Sequence, residues 1–453
     1  MDAVLGVWRD EGATPAGVEA LLRSAAAAAA GLALEAVPAA EPYRVPAGRH
    51  GDYATALALR LARGTGSAPR AVAAALAAEL RARPEVLDAR VEGAGLVNLV
   101  VADTARARSV RAAAHGMRYL RGPAGRGTGT AAPAHQDAAA GATASPAPAP
   151  ADATSAHRRE AATGHRPADA ATAERPGDAE ARIALSAPHA AADLAEARRL
   201  ARADARRRIA LALAPGAGAV LDAAPVWPVP AVTDPGTGDI TWRDPRREAA
   251  TGSDPERLIA VIGEAAARIA FCRSAAEHPR PGELTGPGLP ALPAPERPGA
   301  WARQTDANPA FAVRYAHAHA VRSRSWIADA ARAAGAPADA PPAAADRPAA
   351  VAVLAAPAAA ALVGTLFDGQ GYLAGAGRRR EPHILVRYLE GLAAAYHDWR
   401  ETWGASTGED TGTAGRGAER WDDAAARSEL CAAAAAVLAA GLSLLGVAAP
   451  TRL

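Results

Sequence analysis

The sequence predicts an α+β module at the amino-terminal end, a low-complexity linker, and an all-α helical bundle at the carboxyl-terminal end. Within residues 1–118, apolar residues recur first with helical and then with strand spacing. Residues 119–180 contain almost no large apolar side chains, and helical spacing then dominates residues 254–453. A chain of 453 residues is long enough for two or three domains that each bury a core.

The amino-terminal module is expected to begin with three helices. Helical spacing covers about 15–36 and 68–83, and the segment HGDYATALALRLA lies between them. In this segment Asp52 is placed to cap a helix that carries Leu57 and Leu61 on one face.

A β-hairpin is expected to follow these helices. The segment VLDARVEGAGLVNLVVAD contains a strand that ends near Glu92, a turn at Gly93 and Gly95, and a second strand at Leu96–Val101. Helices combined with an antiparallel hairpin make this module α+β.

The middle of the chain contains few sequence patterns that predict a fold. Residues 119–180 are dominated by Ala, Gly, Pro, Thr and Ser, and they cannot bury enough apolar surface to offset the entropy of ordering. This composition is typical of a flexible linker. Residues 181–250 contain an expected helix at 190–213, and proline-rich sequence around Trp227 and Trp242 to which no fold is assigned.

The carboxyl-terminal region, residues 254–453, is expected to form a helical bundle. Its first helix has Asp254 as the expected N-cap and Pro255 at the first helical position. Further helices are expected at 308–334, 349–368, 381–403 and 422–446. Pro357 is expected to divide the apolar stretch at 349–367 into two short buried helices, which argues against a membrane span.

One expected helix, within NPAFAVRYAHAHAVRSRSW at 308–326, has two different faces. At about 100° per residue, one face carries aromatic and basic side chains, namely Phe311, Tyr315, His319, Arg322 and Trp326. The opposite face carries the aliphatic residues Val313, Ala316, Ala320 and Ile327. Since only 4% of the chain is aromatic, rings gathered on one face indicate either a core stripe or a binding surface.

Composition excludes several kinds of site. Cys272 and Cys431 are too few for a disulfide framework or a four-cysteine zinc site, and both are expected to be buried. His317 and His319 point about 200° apart on a helix and cannot share an ion, so neither a metal nor another cofactor is expected. The start of the chain is acidic where a signal peptide would be basic, so a cytoplasmic location is expected.

Four segments, taken in order, resemble one family. HGDYATALALRLA together with VEGAGLVNLVV resembles the amino-terminal domain of arginyl-tRNA synthetases. DANPAFAVRYAHAHAVRS is similar to a helix of their DALR anticodon-binding domain, and REPHILVRYLEGLAAAYHDW and LAAGLSLLGVAAPTRL resemble later parts of that domain. The resemblance implies one domain that contacts the tRNA elbow and one that contacts the anticodon loop.

The chain lacks what aminoacylation needs between these segments. The family's nucleotide-binding fold uses a His-x-Gly-His signature and a Lys-Met-Ser-Lys-Ser loop, whose charges stabilise the adenylate-forming transition state. No two of the 11 histidines stand three residues apart, and the chain contains no lysine. Once the linker is subtracted, roughly 75 residues lie between the two regions that resemble the family. A nucleotide-binding fold made of two mononucleotide-binding halves requires more residues than this. The resemblance therefore implies a synthetase relative without its catalytic domain.

The resemblance and the residue types together suggest RNA contacts at ten positions. These are Tyr53, Asn98, Asn308, Arg314, Tyr315, His319, Arg322, Trp326, Arg379 and Tyr388. Other interpretations stay open, because Phe311 and Trp326 also fit a core stripe and Asn98 also fits a structural role at a sheet edge. Arg379, within GRRRE, also fits a solvated loop.

The sequence thus predicts a non-catalytic, cofactor-free protein that binds tRNA, with tRNA-Arg as the expected ligand. One alternative is an arginine–tRNA ligase, acting alone or as a half-enzyme completed by another chain. A second alternative is a protein-interaction module whose former RNA surfaces bind a protein such as the catalytic arginyl-tRNA synthetase. Binding of tRNA that weakens steeply with salt distinguishes the first hypothesis, because phosphate contacts release counterions.

Overall fold

The computed structural model describes residues 12–46, 48–122, 191–214, 252–333, 353–405 and 417–452. The linker expected at 119–180 lies almost entirely outside the described residues. So does the proline-rich part of 181–250.

The amino-terminal module combines helices with one antiparallel sheet, which confirms the expected α+β class. Its helices are α1 (Pro15–Ala30), α2 (Leu57–Thr65), α3 (Pro69–Arg81) and α4 (Asp103–Ala113). A short helix, α5 (Met117–Arg121), follows them and places Tyr119 and Leu120 in the core of the helical body. The strands of the module are β1 (Tyr43–Arg44), β2 (Tyr53–Thr55), β3 (Val86–Glu92) and β4 (Leu96–Val101). The strands pair in the order β1-β2-β4-β3.

The predicted hairpin is confirmed as β3 and β4. Val91 pairs with Val97, and Gly93 adopts a φ of 55° in the turn, a conformation that glycine reaches without steric cost. Leu99 and Val101 are fully buried, so β4 forms the centre of the module's core.

Asp52 has a different role from the helix cap that was expected. The first amide of α2, Leu57 N, donates instead to Thr55 Oγ1 at 3.1 Å. Asp52 Oδ2 accepts hydrogen bonds from Val101 N at 2.9 Å and from Arg106 Nη2 at 2.8 Å. The carboxylate therefore joins the loop before β2 to the end of β4 and to α4.

The carboxyl-terminal body is helical, as predicted, apart from one small hairpin. Its helices are α6 (Leu194–Leu213), α7 (Asp254–Ile262), α8 (Glu264–Arg273), α9 (Pro309–Ala333), α10 (Pro357–Arg379), α11 (Pro382–Ala405) and α12 (Gly417–Leu444). The hairpin pairs β5 (Leu284–Gly286) with β6 (Leu289–Pro290). Cys272 and Cys431 are both fully buried, as expected, and burial raises the pKa of each thiol, to about 11 and about 12.

One expected helix start was wrong, and one expected helix is longer than predicted. The N-cap of α7 is Ser253 rather than Asp254, because Glu256 Oε2 accepts a hydrogen bond from Ser253 N at 2.8 Å. Pro357 does divide the apolar stretch, because helical residues 353–355 are followed by a break at Ala356 and by a new helix that starts at Pro357. That second helix, α10, is not short, since it has 23 residues.

One helix in the part of the chain that the structure describes is long and apolar enough to cross a membrane. It is Asp423–Leu444, with a mean hydropathy of 1.4, and 61% of its apolar window is buried. Such burial is typical of the central helix of a bundle, so this is weak evidence for a membrane span.

A buried ion network attaches α6 to the helical body. Asp204 Oδ2 accepts hydrogen bonds from Arg208 Nε at 3.0 Å and from Arg268 Nη1 at 2.9 Å, and Arg268 Nε also donates to Glu264 at 3.1 Å. The side chains of Asp204, Arg208 and Arg268 are each 1% exposed. These contacts indicate that α6 belongs to the helical body, although it precedes residue 254, where that body was expected to begin.

Two further arginines of α6 bind the carboxyl-terminal end of α8. Arg198 donates to Phe271 O, and Arg202 Nη1 donates to Ser274 O at 2.6 Å. Both side chains are buried, and the carbonyl groups at a helix end are unpaired and carry partial negative charge. The arginines therefore satisfy groups that would otherwise be buried without partners.

The amino-terminal module and the helical body share part of their cores. Phe367 of α10 is 5% exposed and packs into the module's core, with its ring centroid 4.3 Å from that of Tyr53. Arg44 Nη2 lies 2.9 Å from Asp368 Oδ2, and Tyr119 Oη donates to Leu366 O at 2.9 Å.

Replacing Asp204 with Asn should strongly destabilise the protein. Two buried guanidinium groups would lose their shared counter-charge, and removal of one partner of a buried pair costs about 3–5 kcal/mol. Urea unfolding followed by circular dichroism measures the change. The matched control is Asp254→Asn, since Asp254 pairs with Arg257 while 57% exposed and should change stability by less than about 1 kcal/mol. Equal stability of the two variants would contradict the network's role.

Replacing Phe367 with Ala should destabilise the sheet of the amino-terminal module, although Phe367 itself belongs to α10 of the helical body. Truncation of a buried Phe typically costs about 3–5 kcal/mol, and here part of that loss falls on the amino-terminal core. Hydrogen exchange of the β3 and β4 amides should accelerate. Leu373→Ala, a truncation at a fully buried position of the same helix, serves as the control and should affect the helical body first. Unchanged exchange in the Phe367 variant would show that the domains are energetically independent.

Candidate nucleic-acid interface

A row of rings runs along one face of α9, as the sequence predicts. Phe311 stacks on Tyr315 with centroids 5.5 Å apart and planes at 11°, and Trp326 meets His319 edge-on at 6.3 Å. The aliphatic face packs inward, with Val313 2% exposed.

Helix α11 supplies the second half of this surface. His397 stacks on Tyr315 at 5.5 Å, and Tyr396 Oη lies 2.9 Å from His319 Nδ1. Behind them, Trp399 is buried and meets Trp403 edge-on at 5.0 Å. We call the set of Phe311, Tyr315, His319, Arg322, Trp326, His397, Arg400 and Trp403 the aromatic surface.

Two rings of the aromatic surface are open to solvent. Tyr315 is 39% exposed and Trp326 is 49% exposed. Arg322 is also exposed, and its guanidinium carbon lies 5.6 Å from the centre of the Trp326 ring. Arg400 lies over Trp403 at 4.1 Å. Exposed rings next to guanidinium groups offer faces on which a planar group can stack.

The imidazoles of the aromatic surface favour the neutral form. Burial lowers the pKa of His319 below its usual value, and the positive charge of Arg400 lowers it further. Burial also lowers the pKa of His397. The positive charge of this surface at neutral pH therefore comes from its arginines.

The structure brings together part of the predicted set of contacts. Tyr315, His319, Arg322 and Trp326 belong to the aromatic surface, and Arg314 lies half-buried beside it. Arg379 is exposed at the end of α10, apart from this group.

Four of the predicted contacts are buried, which corrects their assignment as direct RNA contacts. They are Tyr53, Asn98, Asn308 and Tyr388, each no more than 4% exposed. Asn98 Nδ2 donates to His50 O at 2.9 Å, so it satisfies backbone at the sheet, the structural alternative considered for it.

The other buried positions also have structural partners. Asn308 Nδ2 donates to Trp301 O at 2.8 Å, and its Oδ1 accepts from Ala310 N at 3.0 Å, so it fixes the start of α9. Tyr388 stacks on Tyr372 at 5.2 Å.

The sequence prediction missed His397, Arg400 and Trp403. A signal was present, because AAAYHDWRETW places aromatic and basic residues at spacings of three and four. That spacing shows which residues share a face of α11, whereas the pairing of this face with α9 depends on the tertiary fold.

The structure offers no metal cluster within the residues that it describes. No group of three or more His, Cys, Asp or Glu side chains there is arranged to hold an ion. His317 and His319 are separated as expected, since His317 Nδ1 lies 2.8 Å from Pro450 O while His319 faces Tyr396.

Two protein families match the chain. Residues 18–101 match the arginyl tRNA synthetase N terminal domain, and residues 327–453 match the DALR anticodon binding domain. The second match includes α10, α11 and α12 and begins directly after Trp326, so the ring-bearing half of α9 precedes it.

Similar full-length proteins are arginine–tRNA ligases. That of Cereibacter sphaeroides is 54% identical over 70 residues, which are 16% of this chain and 12% of the ligase. That of Clavibacter sepedonicus is 30% identical over 199 residues, which are 43% of this chain and 29% of the ligase. In both cases the matched part is less than a third of the ligase's length.

A solved structure, that of Thermus thermophilus arginyl-tRNA synthetase, aligns at 16% identity with a TM-score of 0.41. The alignment covers 96% of this chain and 100% of that one, but at this TM-score the likeness is too weak to support a conclusion.

The family relationship is therefore taken from the two domain matches and from the signatures that are missing between them. The chain is an arginyl-tRNA synthetase-related protein that lacks the family's central domain.

Proposed function

We propose that the protein binds tRNA without aminoacylating it, and that the aromatic surface contacts unpaired bases of the anticodon loop. The observation that carries the proposal is the exposure of Tyr315 and Trp326 beside Arg322. The DALR anticodon binding domain match, which begins next to Trp326, supports tRNA as the ligand, and the synthetase relationship supports tRNA-Arg.

Unpaired RNA bases suit this surface for a physical reason. Every base has an apolar face that stacks on an aromatic ring, and each such contact contributes about 1–3 kcal/mol. Loop bases are splayed out and accessible, whereas bases within an RNA helix are not. Arg322 adds a charge that attracts the adjacent phosphate and a plane on which a second base can stack.

The absence of catalysis is supported by the sequence. Aminoacyl adenylate formation needs positioned cations on the leaving pyrophosphate, and the family supplies them from signatures that this chain does not contain. The protein is therefore proposed to bind tRNA but not to attach arginine to it.

The amino-terminal module contributes to tRNA binding indirectly in this proposal. Asn98 and Tyr53 are buried, so a contact with the tRNA elbow would come from the loop that contains His50, before β2, rather than from their own side chains. The hydrogen bond from Asn98 to His50 O fixes that loop against the sheet.

Replacing Tyr315 or Trp326 with Ala should weaken tRNA binding by about tenfold or more, since one stacking contact is lost in each case. Fluorescence anisotropy with labelled tRNA-Arg at two salt concentrations measures this effect. Arg322→Ala should also reduce the slope of log affinity against log salt by about one.

Arg324→Ala is the matched control for these variants, because Arg324 is exposed on α9 but points about 200° away from Arg322. The affinity of Arg324→Ala for tRNA should stay within twofold of that of the wild type. Failure of the wild-type protein to bind any tRNA at low salt would refute the proposal.

Acidification should lower the stability of the protein through His319. Its pKa is below 6.5 in the folded state, so protons bind the unfolded chain preferentially once the pH falls below 6.5. The free energy of unfolding should therefore fall between pH 6.5 and the lower folded pKa, by up to about 1.4 kcal/mol per pH unit for one histidine. Above pH 6.5 this contribution should not change.

Urea unfolding at pH 7.5, 6.5 and 5.5 tests this dependence. His319→Gln should show a smaller loss between pH 6.5 and 5.5 than the wild type, because the titrating group is gone. Identical pH profiles for the wild type and His319→Gln would contradict the assignment.

A further inference from the structure

A small cavity lies between the end of α7 and the start of α9, next to the aromatic surface. Its volume is about 160 Å³. The apolar wall is formed by Val261, Ile262, Ala266, Trp301 and Phe311. The polar wall includes Arg303, Gln304 and Arg314, and no acidic residue lines the cavity.

Arg314 lacks the counter-charge that a half-buried arginine normally has. Its Nε is enclosed by protein and has no hydrogen-bond partner. Burial alone lowers the pKa of Arg314, with no compensating contribution from a carboxylate. Among the described residues, neither Arg314 nor Arg303 forms an ion pair, whereas the buried arginines of α6 and α8 bind carboxylates or carbonyl groups.

Enclosing a guanidinium N–H without a hydrogen-bond partner is energetically costly, so Arg314 Nε points to an acceptor from outside the chain, and the positive charge of the group favours an anion. Arginine presents a planar set of donors that matches the oxygens of phosphate in two-point contacts. The cavity is too small for a complete nucleotide, since sites for drug-sized ligands typically span about 300–1,000 Å³. A single phosphate group is of suitable size.

We propose that the cavity lined by Arg303, Arg314 and Phe311 binds a phosphate-type oxyanion. The anion is either a free phosphate ion or a phosphate of an RNA backbone. The RNA source rests on the proposed function: Phe311 lines the cavity and also stacks on Tyr315, so the cavity lies directly beside a ring that would hold a base.

Isothermal titration of the full chain with inorganic phosphate tests the site without RNA. We expect saturable binding by the wild type and at least a tenfold loss of affinity in Arg314→Gln, which keeps the length and polarity of the side chain. Arg303→Gln should also weaken binding. Arg324→Gln, at an exposed position on the side of α9 opposite Arg322, should stay within twofold of the wild type. Thermal unfolding without phosphate should show that Arg314→Gln is at least as stable as the wild type, because that arginine has no internal partner to lose.

A second arm uses a labelled single-stranded RNA heptamer with the anticodon-loop sequence of tRNA-Arg. If the source is RNA, Arg314→Gln should weaken heptamer binding at least fivefold, and inorganic phosphate should compete with the heptamer on the wild type. If the wild type binds phosphate through Arg314 but binds no RNA, the oxyanion site stands with free phosphate as its ligand, and the proposed function fails.

Two outcomes would overturn the oxyanion site whatever the RNA result. One is the absence of saturable phosphate binding by the wild type. The other is equal phosphate affinity in the wild type, Arg314→Gln and Arg303→Gln, which would place any bound phosphate elsewhere.

Discussion

The carboxylate of Asp204 is the contact on which the helical body depends. It receives hydrogen bonds from Arg208 and Arg268, at 1% exposure of all three side chains, so none of the charges can be left to solvent. Gly446 covers the group, and a Cβ at this position would lie 2.5 Å from Arg268 Nη1. Helix α8, held in this way, packs against both α9 and α11. The two helices that carry the aromatic surface are therefore positioned by an ion network that does not itself reach the surface.

The elements that could be predicted from the sequence are those whose signal is local. The hairpin of β3 and β4 was predictable because strand alternation and two turn glycines stand within one short segment. The two faces of α9 were predictable because helical spacing alone places Val313 and Tyr315 on different faces, although spacing did not determine which face is buried. The role of α6 was not predictable, since its arginines resemble a solvated helix face and their carbonyl and carboxylate partners include Phe271 and Glu277, more than 60 residues away.

The same distinction applies to the candidate site. The α9 half of the aromatic surface follows from one helix, whereas the stacking of His397 on Tyr315 requires two helices to meet. Motif resemblance identified Tyr53, Asn98, Asn308 and Tyr388 as important positions but could not distinguish residues that touch a ligand from those that hold the backbone. All four are buried, and three of them have side chains hydrogen-bonded to backbone groups.

The insertion of Phe367 beside Tyr53 affects how these two domains can be treated as evolutionary units. Domains joined by a linker are normally exchangeable, because each keeps its own core when it is moved to a new gene. Here the core of the amino-terminal module is completed by a ring from the other domain, so a transplanted module would carry an unfilled, apolar gap. Both domains are therefore expected to be inherited and lost together, and recombination that separates them would yield aggregation-prone fragments.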